Sequence, residues 1–524
     1  MKPPISLFVP LLLSALSSAL SGQKELQRIQ LANPTSATAF GRSLALSGDL
    51  AAVGAPDEKI TANYQGRVYV YRRTTGGWVL EAGLQAPTPT LLDRFGSSVA
   101  LSGSVLVVGA PAHLSKTSNG AIHVFRRKNG KWVHEAVFKR GKWFGSSVAV
   151  SGNRIVAGAP WTRLPRLNWG GPNHAGAAWV FRYDGTKWVE EGMLKASDAY
   201  NDDHFGSSVA IQGTTILVGA SGEGDEYQRR YAIGAVYAFE WSGTSWIQKQ
   251  KFRATRFADN AAFGSSISMD GGVAVVGSPG KKIRAIWNAG AAYIFRKTAT
   301  GWVQEQKLAS PWPAQMASFG GQGRVALQGG LCLVGSGGRD ASGRVHGAVH
   351  AWRKGPKGWK LEPSFSGSGL TTKYSRFGTG LALDRGALLV GGYLENQAPR
   401  SNETVWVFDM KPDFRVMVRP LPVVIKDTAS FEVRDAPGGA AAVLLWGFQG
   451  TARIPLPWPG AVLGLKFPMI LGAQTVGKSG GVAWDFDIPA SALGVRLWVQ
   501  TLEIESLRKA RTSNVIYTKI SLPL

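Results

Sequence analysis

Short apolar runs alternate along the chain with polar turns that carry glycine. The segment Ser97-Ser-Val-Ala-Leu101 ends at the tight turn Ser102-Gly103. The run Val105-Leu-Val-Val108 that follows is apolar throughout, as expected of a strand covered on both faces. Glycine in such turns permits the positive φ that a tight hairpin needs. A third run places an aromatic residue at every second position, as in Val68-Tyr-Val-Tyr71. After another glycine turn comes a segment approximating Trp-Val-x-Glu-x-x-Leu/Phe. Period-2 patterning between turns predicts four antiparallel strands and no helix.

This unit recurs. Phe-Gly stands at Phe40, Phe95, Phe144, Phe205, Phe263, Phe319 and Phe377, at spacings of 55, 49, 61, 58, 56 and 58 residues. Fourteen residues after six of these phenylalanines comes Gly54-Ala-Pro, Gly109-Ala-Pro, Gly158-Ala-Pro, Gly219-Ala-Ser, Gly277-Ser-Pro or Gly391-Gly-Tyr. The glycine after Phe319, Gly335, lies 16 residues on. A third signature begins at Gly66, Gly120, Gly176, Gly234, Gly290 and Gly347, and degenerates to Thr404-Val-Trp-Val-Phe408. Tryptophans at 78, 132, 188, 246, 302 and 359 open six fourth strands. A repeat of this length predicts an all-β, seven-bladed propeller over residues 22–410. The seventh repeat lacks its fourth strand. Glu25-Leu-Gln-Arg-Ile-Gln-Leu31 is expected to supply it and close the ring, removing two exposed edges.

The period stops after Met410. Residues 411–524 read as short strands between Pro and Gly turns, which suggests a small β-sandwich as an accessory domain. At the other end Lys2, a short apolar run and small residues at Ala19 and Ser21 read as a secretory leader over residues 1–21. No later stretch is suited to cross a membrane. The single cysteine, Cys332, excludes an intramolecular disulfide and lies in an apolar run, as a buried core residue would.

The three signatures resemble FG-GAP repeats, the unit of the integrin α-subunit propeller and of many bacterial exported proteins, over about residues 24–410. The resemblance implies the fold far more than a function, since propellers serve both enzymes and binding proteins. Calcium-binding members carry an acidic Asp-x-Asp-x-Asp-Gly loop between the first two signatures. Here short turns replace it, among them Ser47-Gly-Asp, Ser102-Gly-Ser, Asp270-Gly-Gly and Asp384-Arg-Gly. A calcium ion takes six to eight oxygen ligands. No metal site and no cofactor is therefore expected.

The formal charge is +25, from 59 basic and 34 acidic residues. It attracts polyanions non-specifically, and equally fits a basic proteome or an acid habitat. Candidate binding residues lie on the variable rim loops: Trp161, Arg163, Arg166 and Trp169 in blade 3, Arg229 and Arg230 in blade 4, and Lys281, Lys282, Arg284 and Trp287 in blade 5. Basic groups beside tryptophan suit an anionic sugar; the alternative is that Trp161 and Trp169 plug the rim. Arg72, Arg126, Arg182, Arg296 and Arg353 are expected to form a basic ring on the opposite rim. Asp198, Asp202 and Asp203 could serve acid–base chemistry but read as surface. The seven histidines show no metal-ligand spacing, and His123 and His350 replace aromatics at packing positions. The expectation is a non-catalytic adhesion or recognition protein, secreted or on the cell surface. Its partner would be an extracellular protein or an anionic surface polysaccharide, with no specific nucleic acid. A lectin, a polysaccharide lyase or hydrolase using rim carboxylates, and a structural envelope component are the alternatives.

Overall fold

A computed structural model describes residues 24–410 apart from 32–37, 113–118, 142, 165–172, 225–231, 256–259, 284, 312, 314–315, 340–344, 363, 367–373 and 395–402. It also gives the backbone of strands between 416 and 520. Residues Glu25–Asp409 form one compact unit and Met410–Leu524 belong to another. The first is a seven-bladed propeller. Blades 1 to 5, spanning 44–84, 98–139, 147–194, 205–252 and 267–308, are each a four-stranded antiparallel sheet. Blade 6 (325–361) and blade 7 (374–409) are joined in one eight-stranded sheet through a short parallel pairing of Val345 with Tyr374 and His346 with Ser375. The strand Lys24–Gln30 lies beside Thr404–Asp409 as the outer strand of blade 7. In the other unit, strands between 416 and 520 pair into sheets of five, three and two.

The signature phenylalanines are almost fully buried, and each packs against the first aromatic of its own blade's third strand. The pairs are Phe40–Tyr69, Phe95–His123, Phe144–Trp179, Phe205–Tyr237, Phe263–Tyr293, Phe319–His350 and Phe377–Trp406, with centroids 5.2–5.8 Å apart. Most meet edge to face, the arrangement that ring quadrupoles favour. His123 and His350 therefore do the packing work of an aromatic, and burial keeps both imidazoles neutral by pushing their pKa down to about 3. Cys332 is fully buried in the blade 6 core.

The glycines of the three signatures meet where one blade touches the next. A Cβ added at Gly158 of blade 3 would fall within 3.0 Å of the Gly206 carbonyl oxygen in blade 4. The same crowding recurs for Gly54 on Gly96, Gly109 on Gly145, Gly219 on Gly264, Gly277 on Gly320 and Gly335 on Gly378, and for Gly391 on Gly41 across the closure. The third-signature glycines lie likewise against the backbone of the next phenylalanine, as Gly176 does on Phe205. Phe-Gly and Gly-Ala-Pro are thus the two halves of one inter-blade contact. Blade 7 departs from this pattern: Glu403 stands where the other blades have that third glycine. Its carboxylate instead accepts the N–H groups of Thr38, Ala39 and Phe40 and the Thr38 hydroxyl. Glu403→Ala would leave these largely buried donors unpaired and is expected to lower propeller stability by roughly 2–4 kcal/mol, read as a shift in the urea midpoint. An unchanged midpoint would show that the clasp is idle.

Two further circles of contacts tie the blades. On the outer strands of blades 1, 2, 3 and 5 a β-bulge falls on Glu81, Glu135, Glu191 and Glu305, and in blade 4 on Lys249. The bulge re-aims the side chain. Glu81, Glu135 and Glu191 accept the indole N–H of Trp132, Trp188 and Trp246 in the following blade, at 3.0, 2.9 and 2.9 Å. Burial alone would raise these carboxyls. Bonds from arginine and indole outweigh it and hold all three below the ordinary glutamate value. At three other junctions a glutamine both accepts from the tryptophan backbone N–H and donates to the same residue's backbone carbonyl: Gln250 with Trp302, Gln306 with Trp359, and Gln27 with Trp78.

The expected basic ring is not one. Arg72, Arg126, Arg182, Arg296 and Arg353 each pair with the glutamate three residues after their own blade's tryptophan, at 2.5–3.3 Å. In blade 4 the signs are exchanged, with Glu240 at the arginine position and Lys249 at the glutamate position.

The short turns that replace calcium loops form the second circle. Ser47 accepts from Gly103 N–H, Ser102 from Gly152, Ser151 from Gly213, Asp270 from Gly329 and Asp384 from Gly48. Gln212 donates to Asp270 and Gln328 to Asp384, completing all seven junctions. The carboxylates here serve as acceptors for the neighbouring turn.

Candidate functional site

Opposite those turns, one rim gathers the loops between second and third strands and the links between blades. Where two blades meet, a strip of one loop runs beside a strip of the next link: Arg94 N–H donates to Tyr64 C=O, His204 to His174, Ala262 to Ala232, and Ser318 to Asn288. One step further out, Leu92 bonds Asn63, Asp202 bonds Asn173, and Met316 bonds Trp287. Four junctions, between blades 1 and 2, 3 and 4, 4 and 5, and 5 and 6, carry non-glycine residues in left-handed conformation at corresponding places, with φ of 47–68° at Tyr64, Leu92, Arg94, His174, Asp202, His204, Ala232, Asn260, Ala262, Asn288, Met316 and Ser318. Such conformations are uncommon outside Gly, Asn and Asp. Their recurrence at these four junctions marks them as set by the fold, while the side chains differ freely. The result is one backbone template presenting different chemistry at each of these four blade boundaries.

The junction between blades 3 and 4 is aromatic and polar. Trp161 is 39% exposed and stacks on Trp143 and His204, with His174 tilted against it at 4.4 Å between centroids. His174 Nδ1 lies 2.8 Å from an Asp202 carboxylate oxygen. Much of the Trp161 ring is thus engaged within the protein, and Arg163 beside it is exposed.

Behind this junction Asp203 and Asp198 join buried Glu223 in a network that runs from the core to the surface. Asp203 is buried and accepts the Tyr200 N–H at 2.7 Å; burial, reinforced by Glu223 and Asp198, pushes its carboxyl up to about 7. Asp198 accepts from Tyr237 and Lys251, and buried Glu223 from Lys251 and Arg253. Of the three acids flagged in the sequence, Asp198 and Asp202 are exposed as expected and only Asp203 is buried.

Blade 5 supplies the most open aromatic. Trp287 is 56% exposed, and Lys282 holds its ammonium 4.2 Å from the ring centroid. Lys281, two residues from the hairpin pair Ile283–Ile286, is buried, and burial together with Lys307 lowers its pKa. The structure therefore splits the neighbouring lysines between loop base and surface. Arg166, Trp169, Arg229, Arg230 and Arg284 lie outside the described residues. Tyr64, Arg94, Tyr200 and Met316 share the rim but were not singled out from the sequence. Their signal was positional: Arg94 is one residue before a signature phenylalanine, Met316 three before, and Tyr64 two before a third-signature glycine. Among the described residues no group of His, Cys, Asp or Glu is placed to hold a metal ion.

The family profile described as FG-GAP repeat matches five segments, 25–71, 78–125, 139–181, 188–239 and 246–295. The chain carries five FG-GAP repeats. Each matched segment starts on the outer strand of one blade and ends on the third strand of the next, so the family unit contains the inter-blade contact described above. The matches stop before the blades that depart from the pattern: blade 6, with its two extra residues, and blade 7, with Glu403. No curated protein sequence matches the chain. Among solved structures, Sqt1 of Saccharomyces cerevisiae is similar at 11% identity, covering 78% of this chain and 95% of that one, with a TM-score of 0.40. A chain of a mitotic checkpoint complex is similar at 12% identity, covering 74% and 95%, with a TM-score of 0.43.

Proposed function

We propose that this FG-GAP propeller is a secreted or cell-surface recognition module, without catalytic function, that meets an extracellular protein or an anionic surface polymer through the junction rim. One observation carries the reading. Among the described residues the exposed large aromatics are Tyr64, Trp161, Tyr200 and Trp287, and all four lie on the rim that carries the junctions, joined there by Leu91 and Met316. The other exposed large apolar side chains are non-aromatic and lie on outer strands. Variable loops on a rigid scaffold are the usual place for binding, and aromatic anchors dominate binding energy. Because the junctions differ in side chains, one composite surface fits better than seven copies of a sugar pocket. The acids near blade 4 are engaged by Lys251, Arg253 and Tyr237, which supports a structural role for that network over hydrolysis. The leader-like residues 1–21 support export, and the sheets of five and three strands after Met410 are compatible with a sandwich-like accessory domain.

The test is binding of the purified protein to immobilised matrix proteins and polysaccharides, with a rim variant in which Tyr64, Tyr200, Trp287 and Met316 are changed to serine. Loss of at least about tenfold in affinity with an unchanged melting temperature is expected. Full retention of binding by the variant would move the site off this rim.

A further inference from the structure

We infer that the junction between blades 5 and 6 binds an anionic pyranoside of an acidic polysaccharide, stacked on Trp287 with its acid group at Lys282; this rests on the rim reading above. The loop that carries both residues is pinned at its base, where Lys281 N–H donates to Ser278 C=O and Gly290 N–H to Lys281 C=O, at 3.2 and 2.9 Å. Further out Ile283 and Ile286 exchange two backbone bonds, at 3.1 and 2.9 Å, as a tight antiparallel pair. Continuing that hairpin by one residue on each strand sets Lys282 opposite Trp287, which accounts for the ammonium lying 4.2 Å from the ring centroid. The pair is thus preorganised by backbone bonds, so a ligand meets it at little ordering cost.

The chemistry of this junction narrows the ligand. Trp287 presents a broad, largely exposed ring, and Met316, 64% exposed, donates its backbone N–H to Trp287 C=O at 3.3 Å. An exposed aromatic face suits the C–H face of a pyranose ring. The ammonium at that indole repels a cationic ligand and attracts a carboxylate or sulfate at the sugar's edge. Exposed Asn288, held left-handed at φ 52° beside Trp287, offers an amide for sugar hydroxyls. At the junction between blades 4 and 5 the template positions carry Ala232 and Ala262, which offer neither feature.

A net charge of +25 makes any polyanion adhere weakly, so the test must separate a site from bulk attraction. Trp287→Ala removes the platform without changing charge. The probes are short oligogalacturonates, sulfated oligosaccharides of matched charge, and inorganic polyphosphate, titrated into the full chain at moderate salt. Trp287→Ala is expected to weaken at least one of the two sugars about tenfold while leaving polyphosphate binding and the melting temperature unchanged. Lys282→Gln should weaken that same sugar, and which sugar responds identifies the acid group. Parent-like sugar binding by Trp287→Ala would overturn the inference, as would a parent that prefers neither sugar to polyphosphate. If the four-residue rim variant loses sugar binding while Trp287→Ala keeps it, the ligand sits at another junction and the broader reading stands. Retention by both variants would remove the two together.

Discussion

A chain beginning after Leu31 is expected to lose roughly 5 kcal/mol of propeller stability relative to one that keeps strand Lys24–Gln30, and to melt at a correspondingly lower temperature. Three kinds of contact go at once. Thr404–Asp409 loses its hydrogen-bonded neighbour and becomes an exposed edge in a ring that otherwise ends every blade on an outer strand. Ile29 is buried in a core shared with Phe40, Val53 and Trp78 of blade 1 and Leu389, Val405 and Val407 of blade 7. Deleting one such side chain costs about 2–5 kcal/mol by itself. Gln27 holds the Trp78 backbone through two bonds at 2.7 and 2.9 Å, and Gln30 donates to the Thr404 hydroxyl at 2.7 Å. A synthetic peptide of residues 24–32 should restore part of the lost melting temperature when added in excess. Identical melting of the two chains would show that this strand contributes nothing to the ring.

The blades were legible in the sequence because what makes them is local. Phe-Gly, the apolar second strand and the alternating aromatics each occupy fewer than ten consecutive residues, and their spacing counts the repeats. The match of the family profile and the seven blades bear out that reading. The charge pattern was less legible. Arg126 and Glu135 are nine residues apart on different strands, and only the bulge at Glu135 turns the carboxylate toward the guanidinium, at 2.9 Å. A list of arginines after the third strand therefore looked like a basic ring when it was half of a set of ion pairs. The rim was legible in part. Lys282 and Trp287 stood out as residue types, and the hairpin brings them together. Tyr64 and Met316 belong to no pattern of hydrophobicity. What places them on the rim is the left-handed backbone at fixed offsets from a phenylalanine or a glycine, and alternation of apolar and polar positions does not encode φ. The burial of Asp203 was hidden for a related reason: the charged groups that act on it, Glu223 20 residues later and Lys251 on the outer strand of blade 4, are distant along the chain.

Gly158→Ala is expected to destabilise the propeller by roughly 3 kcal/mol or more, far beyond what one methyl group costs at an ordinary strand position. Gly158 shows no left-handed φ, so the backbone itself would accept alanine; the obstacle is space. The new Cβ would meet the Gly206 carbonyl oxygen and carbon of blade 4 and the Ser147 hydroxyl of its own blade. The first two are backbone atoms fixed in place. Gly206 lies at φ 94° and is crowded in turn by the Ala177 carbonyl, while Ser147 donates to that same Gly206 oxygen at 2.8 Å. Relief would require blades 3 and 4 to part, and in a closed ring any opening at one junction must be taken up by the other six. Gly192→Ala is the matched control, in the outer strand of the same blade, with nothing within 4 Å of the added Cβ. It should be neutral or stabilise by about 0.5 kcal/mol through the unfolded chain. The difference between the two urea midpoints isolates the inter-blade contact from the intrinsic cost of replacing glycine. Equal midpoints would mean that the blades have slack at this contact, and that the glycine of Gly-Ala-Pro is kept for some reason other than close approach.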